Sequence, residues 1–251
     1  MTFVSNFKSK KMNNLSSAIS ILFIIVTLIT VWQFYNASNR SKKVIAFVIA
    51  WLLLQAVLGL SGFYQVTQSV PPRFVLLIGP GLIGAALLLL TKAGKSFADT
   101  LNIRKLTLLH WIRIPVEFTL YFVYTAKLVP LVMTFEGNNY DIISGITAPI
   151  IYYLVFVTKK LNNTALLLWN FVCLALLVNI LVIAILSAQT PFQQLAFDQP
   201  NIGITFFPFV WLPSVVVPIV LTAHLAAIRQ LIKSRKQVPA IVVQEASLHQ
   251  L

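Results

Sequence analysis

Acidic residues are what this chain has least of. Six Asp and Glu stand against 19 Lys and Arg, and only 10% of residues are charged. Soluble domains carry about 25% charged residues. With 58% hydrophobic residues, this composition excludes an ordinary soluble domain and points to an integral membrane protein. A lone cysteine, Cys173, excludes an intrachain disulfide and a paired-cysteine metal site. There is no Walker loop, no Gly-x-Ser-x-Gly and no His-Glu-x-x-His, so no motif assigns a chemistry. No run alternates as a barrel strand does, and single apolar runs are too long for one. Neither an internal repeat nor a soluble domain is visible.

The formal net charge of +13 does not imply nucleic acid. The basic residues form short clusters between apolar runs rather than one patch, as membrane topology requires. The expected partner is the lipid bilayer, in a plasma or bacterial inner membrane.

What is present is a series of apolar runs. A crossing needs about 20 apolar residues. Seven segments qualify: 15–36, 44–64, 74–91, 106–129, 142–158, 164–187 and 202–228. The expected fold is an all-α bundle of seven transmembrane helices over 15–228. A basic segment, 1–14, precedes it, and a basic tail, 229–251, follows. The first span is read as retained, not as a signal peptide. Pro115, Pro149 and the set Pro208, Pro213 and Pro218 predict kinks or local breaks. Gly79-Pro80-Gly81, with Gly84, predicts close packing or a break in the third span.

Lys and Arg orient the bundle. Arg40, Lys42, Lys43, Lys92, Lys95, Arg104, Lys105, Lys159, Lys160, Arg229, Lys233, Arg235 and Lys236 fall on one side. Lys8, Lys10, Lys11 and Arg73 fall on the other. The positive-inside bias places the C-terminus in the cytoplasm and the N-terminus outside. The three N-terminal lysines oppose this assignment.

The fourth span is anomalous, because it carries charge within its apolar run. His110, Arg113 and Glu117, with Tyr121 and Tyr124, fall in a sector of roughly 80° at about 100° per residue. A charged group in a bilayer core costs at least ~2.5–3.5 kcal/mol on insertion scales. This face must therefore meet other helices or water, and it is the candidate ligand-binding site. Arg113 suits a carboxylate or phosphate by its planar fork. Glu117, desolvated, suits proton exchange. The alternative is an internal bridge, since Arg113 and Glu117 are four apart on one helix.

His224, in the seventh span, shares a depth with His110. Two such histidines on separate helices suit a metal or a haem held between them. The alternative is an ordinary helix-end histidine and a satisfied one. Gln55, Ser61, Asn170 and Asn179 read as hydrogen-bonding glue between helices. In the loop 133–141, Asn138 or Asp141 is expected to cap the next helix, with an oxygen-rich cation site or a lid as the alternative. Phe206, Phe207, Phe209 and Trp211 are expected as an aromatic belt at the outer interface.

A seven-span chain of this length resembles the rhodopsins in helix count and length. That resemblance implies a lysine in the last span to bind retinal, and 206–224 holds none. Covalent retinal is not expected, and no other cofactor is named by the sequence. The functional expectation is small-ligand or proton-coupled transport or sensing at the intramembrane face, the ligand being small and polar or anionic. A membrane redox or metal-binding protein using His110 and His224, and a structural membrane subunit, are the alternatives.

Overall fold

The computed structural model describes residues 17–67, 69 and 71–248, with side chains as far as Arg235. The N-terminal segment 1–14 and His249 lie outside the described residues. Among those described, every regular element is helical. The long helices are α1 (Ser17–Ala37), α2 (Lys42–Leu60) and α3 (Arg73–Leu90). A short amphipathic helix, α4 (Lys92–Thr100), follows. Next come α5 (Ile103–Thr125), α6 (Ile142–Val157), α7 (Asn163–Leu186) and α8 (Val217–Leu248).

Among the described residues, six helices are long and apolar enough to cross a membrane: α1, α2, α3, α5, α7 and the stretch Leu212–Arg235 that contains the start of α8. The remaining expected span, the fifth, is α6, which is apolar but too short to cross as a helix. Large apolar side chains cover the outside of the bundle, with Phe47 70% and Leu90 75% exposed. A continuous apolar exterior of this kind suits lipid rather than water. The fold is compatible with a multi-pass membrane protein.

Four helices begin with side-chain caps that satisfy free backbone donors. Ser41, Thr91, Asn102 and Asn162 accept from the backbone N–H of Val44, Gly94, Lys105 and Ala165. All four caps lie at the end of the bundle where the basic residues gather. There Lys105 donates to Asn36 O at 3.0 Å and Asn39 to Thr100 O at 2.8 Å. Arg104 sits over the Phe156 ring, 5.6 Å from its centroid. Arg229 and Lys233 pair with Asp99. At the opposite end, Gln199 donates to Tyr124 O at 3.1 Å and Ile202 N to Leu128 O at 3.0 Å.

The prolines mark local departures from the α-helix. Pro115 lacks an N–H, and just before it α5 tightens into a 3₁₀ turn at His110–Ile112. Pro149 precedes a π turn at Tyr153–Val157, and Pro213 lies within another at Leu212–Val216. Pro80 leaves α3 unbroken. A Cβ on Gly81 would collide with Pro218, so the glycine lets α3 press against α8.

The aromatic run near α8 differs from its expected place. Phe209 is buried against Phe23 at 5.4 Å between centroids, and buried Trp211 donates to Leu52 O at 3.0 Å. These side chains are core rather than an interfacial belt, because the chain from Ile202 to Trp211 runs inside the bundle. α8 is central: it packs against α3, α4, α5 and α7.

Candidate functional site

α5 and the α8 stretch are the most enclosed spans. In each, 61% of the apolar stretch is buried, against 22–33% in the other four. The charged face of α5 therefore points into protein and not into lipid, as its cost requires. His110, Arg113 and Glu117 are each no more than 2% exposed.

The third wall comes from the segment between α5 and α6. After Thr125 the chain does not stay at the end of the bundle. It folds back along α5 until Asn139 meets Glu117 and Asp141 meets Arg113. Its irregular backbone bonds to itself, as in Thr134 N to Leu131 O and Gly137 N to Thr134 O, both 2.9 Å. Leu128, Val129, Thr134 and Asn139 are buried. Irregular backbone at membrane depth is tolerated only when enclosed by protein or lining a polar cavity. α6 then starts at Asp141 inside the bundle, which explains its shortness. Gly145 permits the contact: a Cβ there would stand 2.9 Å from Ile114 Cγ1 and 3.2 Å from Arg113 Cβ.

Arg113 is the hub. Its Nη1 donates to Asp141 Oδ1 at 2.5 Å and, more weakly, to Cys173 O at 3.5 Å. Its Nη2 lies 3.0 Å from His224 Nε2. An arginine can only donate, so His224 Nε2 must be the acceptor. The ring proton is then on Nδ1 and goes to Asn170 Oδ1 at 2.9 Å. Asn170 fits this role, because its Nδ2 donates to Leu166 O at 2.9 Å. The network thus fixes His224 as a neutral imidazole of known tautomer.

His110 stacks on that ring, with centroids 3.9 Å apart and planes 13° from parallel. Trp169 meets His110 edge-on at 5.6 Å and anchors itself to Thr147 Oγ1 at 2.9 Å. Both His110 nitrogens and Arg113 Nε have no hydrogen-bond partner within the described chain. The two histidines are neighbours, as their shared depth implies. Their rings lie face to face, leaving no space for a haem between them. Both nitrogens of His224 are engaged, so in this arrangement it offers nothing to a metal. No group of three or more potential ligands occurs among the described residues.

Glu117 does not bridge to Arg113. Asn139 Nδ2 donates to both of its oxygens at 2.7 Å and also to Met133 O at 3.0 Å, while Asn139 Oδ1 accepts from Asp141 N at 3.1 Å. Among the described residues no ion pair reaches Glu117. Glu117 and Asp141 both line a cavity of about 60 Å³, otherwise walled by apolar groups such as Leu177, Ile204 and Pro213. That volume admits a few waters or one small ion.

Tyr121 and Tyr124 share the helix face but not the network. Tyr121 stacks on Phe135 at 5.2 Å, and Lys127 Nζ stands 5.7 Å over the Tyr124 ring. Neither Asn138 nor Asp141 caps α6 with its side chain. Asp141 instead neutralises Arg113, with Ser144 Oγ donating to it at 3.4 Å. Of the residues read as glue, Asn170 orients His224, and Asn179 holds the folded-back segment through Asn138 O at 2.9 Å. Asn139 and Asp141 were the partners the sequence did not reveal as such.

Residues 74–232 match the family described as Domain of unknown function (DUF8737). The match covers more than half of the chain, and the protein belongs to that family. It runs from Phe74 in α3 into α8 and includes every residue of the polar centre. No curated protein and no solved structure matches the chain.

Proposed function

We propose that this protein is a proton-coupled membrane transporter whose coupling group is Glu117. One observation carries the reading. A carboxyl only 2% exposed, on a central helix and beside a cavity, takes its hydrogen bonds from a neutral amide. An ionised carboxylate there is costly without a counter-charge. Glu117 is stable in such a place with its proton on, or with a cation or water in the cavity beside it. Two states that differ by one charge are what a proton-coupled step requires.

The surroundings support a proton over an anionic ligand. The fork of Arg113 is already occupied by Asp141 and His224. An anion would have to displace one of them and leave a buried charge unpaired. His110, with both ring nitrogens unpartnered, is the second group placed to exchange a proton.

For the topology, the N-terminus lies outside and the C-terminus in the cytoplasm. The folded-back segment 126–141 and α6 together make a seventh crossing. In support, α5 ends away from the basic end, whereas α6 finishes at it, with Phe156 under Arg104.

The test uses purified protein in vesicles loaded with a pH-sensitive dye, under an imposed pH gradient. Wild type should dissipate the gradient. Glu117→Gln keeps an acceptor for Asn139 but cannot titrate, so it should insert normally and lose the flux. Equal flux in the two proteins, or none from wild type, would falsify the proposal.

A further inference from the structure

A cavity larger than that beside Glu117 lies away from the polar centre. A lateral groove of about 590 Å³ runs between α2, α3 and the α8 stretch, open to the outside of the bundle. Its size falls within the ~300–1,000 Å³ of small-molecule sites. Phe47 and Trp51 of α2, Leu88 of α3 and Ile219 of α8 make its walls apolar. Trp51 is fixed by its Nε1, which donates to Ser214 O at 2.9 Å. On α3, nothing lies within 4 Å of where a Cβ on Gly84 would stand, so the groove is open space at that point.

One end of the groove is charged. Lys43, Thr91 and Gly94 line it there, where α2 and α4 begin. Lys43 is exposed and has no acidic partner among the described residues. The acid of α4, Asp99, is held by Arg229 and Lys233. An apolar groove at membrane depth that ends at a lysine complements an amphiphile with an apolar chain and an anionic head.

We propose that this groove holds one anionic phospholipid of the bilayer, an acyl chain lying past Trp51 and Gly84 and the phosphate against Lys43. Glu117 is not on its walls, so the site stands independently of the transport reading.

Native mass spectrometry of the detergent-purified chain tests it, with phosphatidylglycerol and phosphatidylcholine of matched acyl chains as probes. Wild type should retain one phosphatidylglycerol per chain and prefer it over phosphatidylcholine by about five-fold or more, the factor a single lysine near the surface supplies. Lys43→Gln should abolish that preference. Gly84→Leu fills the open space and should reduce retention of both lipids to background. Glu117→Gln should leave retention unchanged. The proposal is overturned by equal retention of the two lipids in wild type, by an intact preference in Lys43→Gln, or by full occupancy in Gly84→Leu. A dimer without lipid also overturns it, because a second copy then covers the groove. Should Gly84→Leu not fold, Lys43→Gln decides alone, since Lys43 is exposed and its replacement disturbs no packing.

Discussion

At the residue scale, the polar centre rests, among the described residues, on one ion pair and on one carboxyl outside any pair. Arg113 and Asp141 are buried together, and each makes the other tolerable. Removing one partner of a buried pair leaves an uncompensated charge and costs about 3–5 kcal/mol, whereas replacing both by apolar groups is often neutral. Asp141→Asn should therefore destabilise the protein by that amount in detergent. Arg113→Met combined with Asp141→Leu should recover most of the loss. Additive losses in a denaturation series of Arg113→Met, Asp141→Leu and their combination would show that the pair is not coupled. Gly145→Val should act differently, forcing α6 away from Ile114 and Arg113 and costing ~1–3 kcal/mol through strain rather than charge. A cavity-free fit with unchanged melting would contradict the close approach. His110, Arg113 and Glu117 were legible in the sequence because a bilayer makes idle charge expensive. Asp141 was not, because an acid after Gly-Asn-Asn-Tyr before an apolar run has the appearance of a surface helix cap. Tyr121 and Tyr124 shared the sector, but helical angle does not say how far the folded-back segment reaches, and Phe135 claims Tyr121.

At the scale of elements, apolar length located the helices well and their path less well. Six of the expected spans overlap a helix of crossing length. The fifth does not, because composition cannot separate a loop that lies outside the bundle from one that re-enters it. α4 was missed for the opposite reason. It is a short, polar-faced helix, Lys92–Thr100, among the basic residues that gave the orientation. Asp99 ties it to α8: Lys233 Nζ donates to Oδ2 at 2.8 Å, and Arg229 Nη2 donates to the same oxygen at 3.0 Å. Gln230 adds bonds to Ala98 O and Leu101 O at 2.7 and 2.8 Å. The Lys233 and Arg229 hydrogen bonds hold the Asp99 carboxyl below its ordinary value of 3.8. A group whose folded pKa is depressed adds stability above its unfolded value and loses it as pH falls through the folded one. The α4–α8 contact should thus be intact at neutral pH and loosen only in acid below 3.8. Asp99→Asn should lower the neutral-pH melting temperature slightly, by at most ~1 kcal/mol for so open a pair, and remove this part of the acid loss. Melting curves from pH 7 to pH 3 for both proteins measure it, and parallel curves would deny the ion pair any role.

At the scale of the whole molecule, the basic residues and the fold agree on one polarity. Arg40 lies between α1 and α2, Lys105 in the first turn of α5, Lys159 after α6 and Arg229 within α8, yet the contacts among α1, α4, α5, α6 and α8 bring them to one end. A bundle that collects its lysines and arginines at one end has a preferred direction of insertion, since those residues resist export. The single natural cysteine makes the direction measurable. Cys173 is 2% exposed and should stay silent to a membrane-impermeant maleimide. New cysteines at Phe197, which is 71% exposed at the far end, and at Lys159, exposed after α6, report the two faces. In intact cells Phe197→Cys should label fully and Lys159→Cys only after the membrane is opened. The reverse pattern would invert the bundle and place His110 on the outer side of Glu117. Labelling of both from one side would mean that α7, the helix between the two positions, does not carry the chain across.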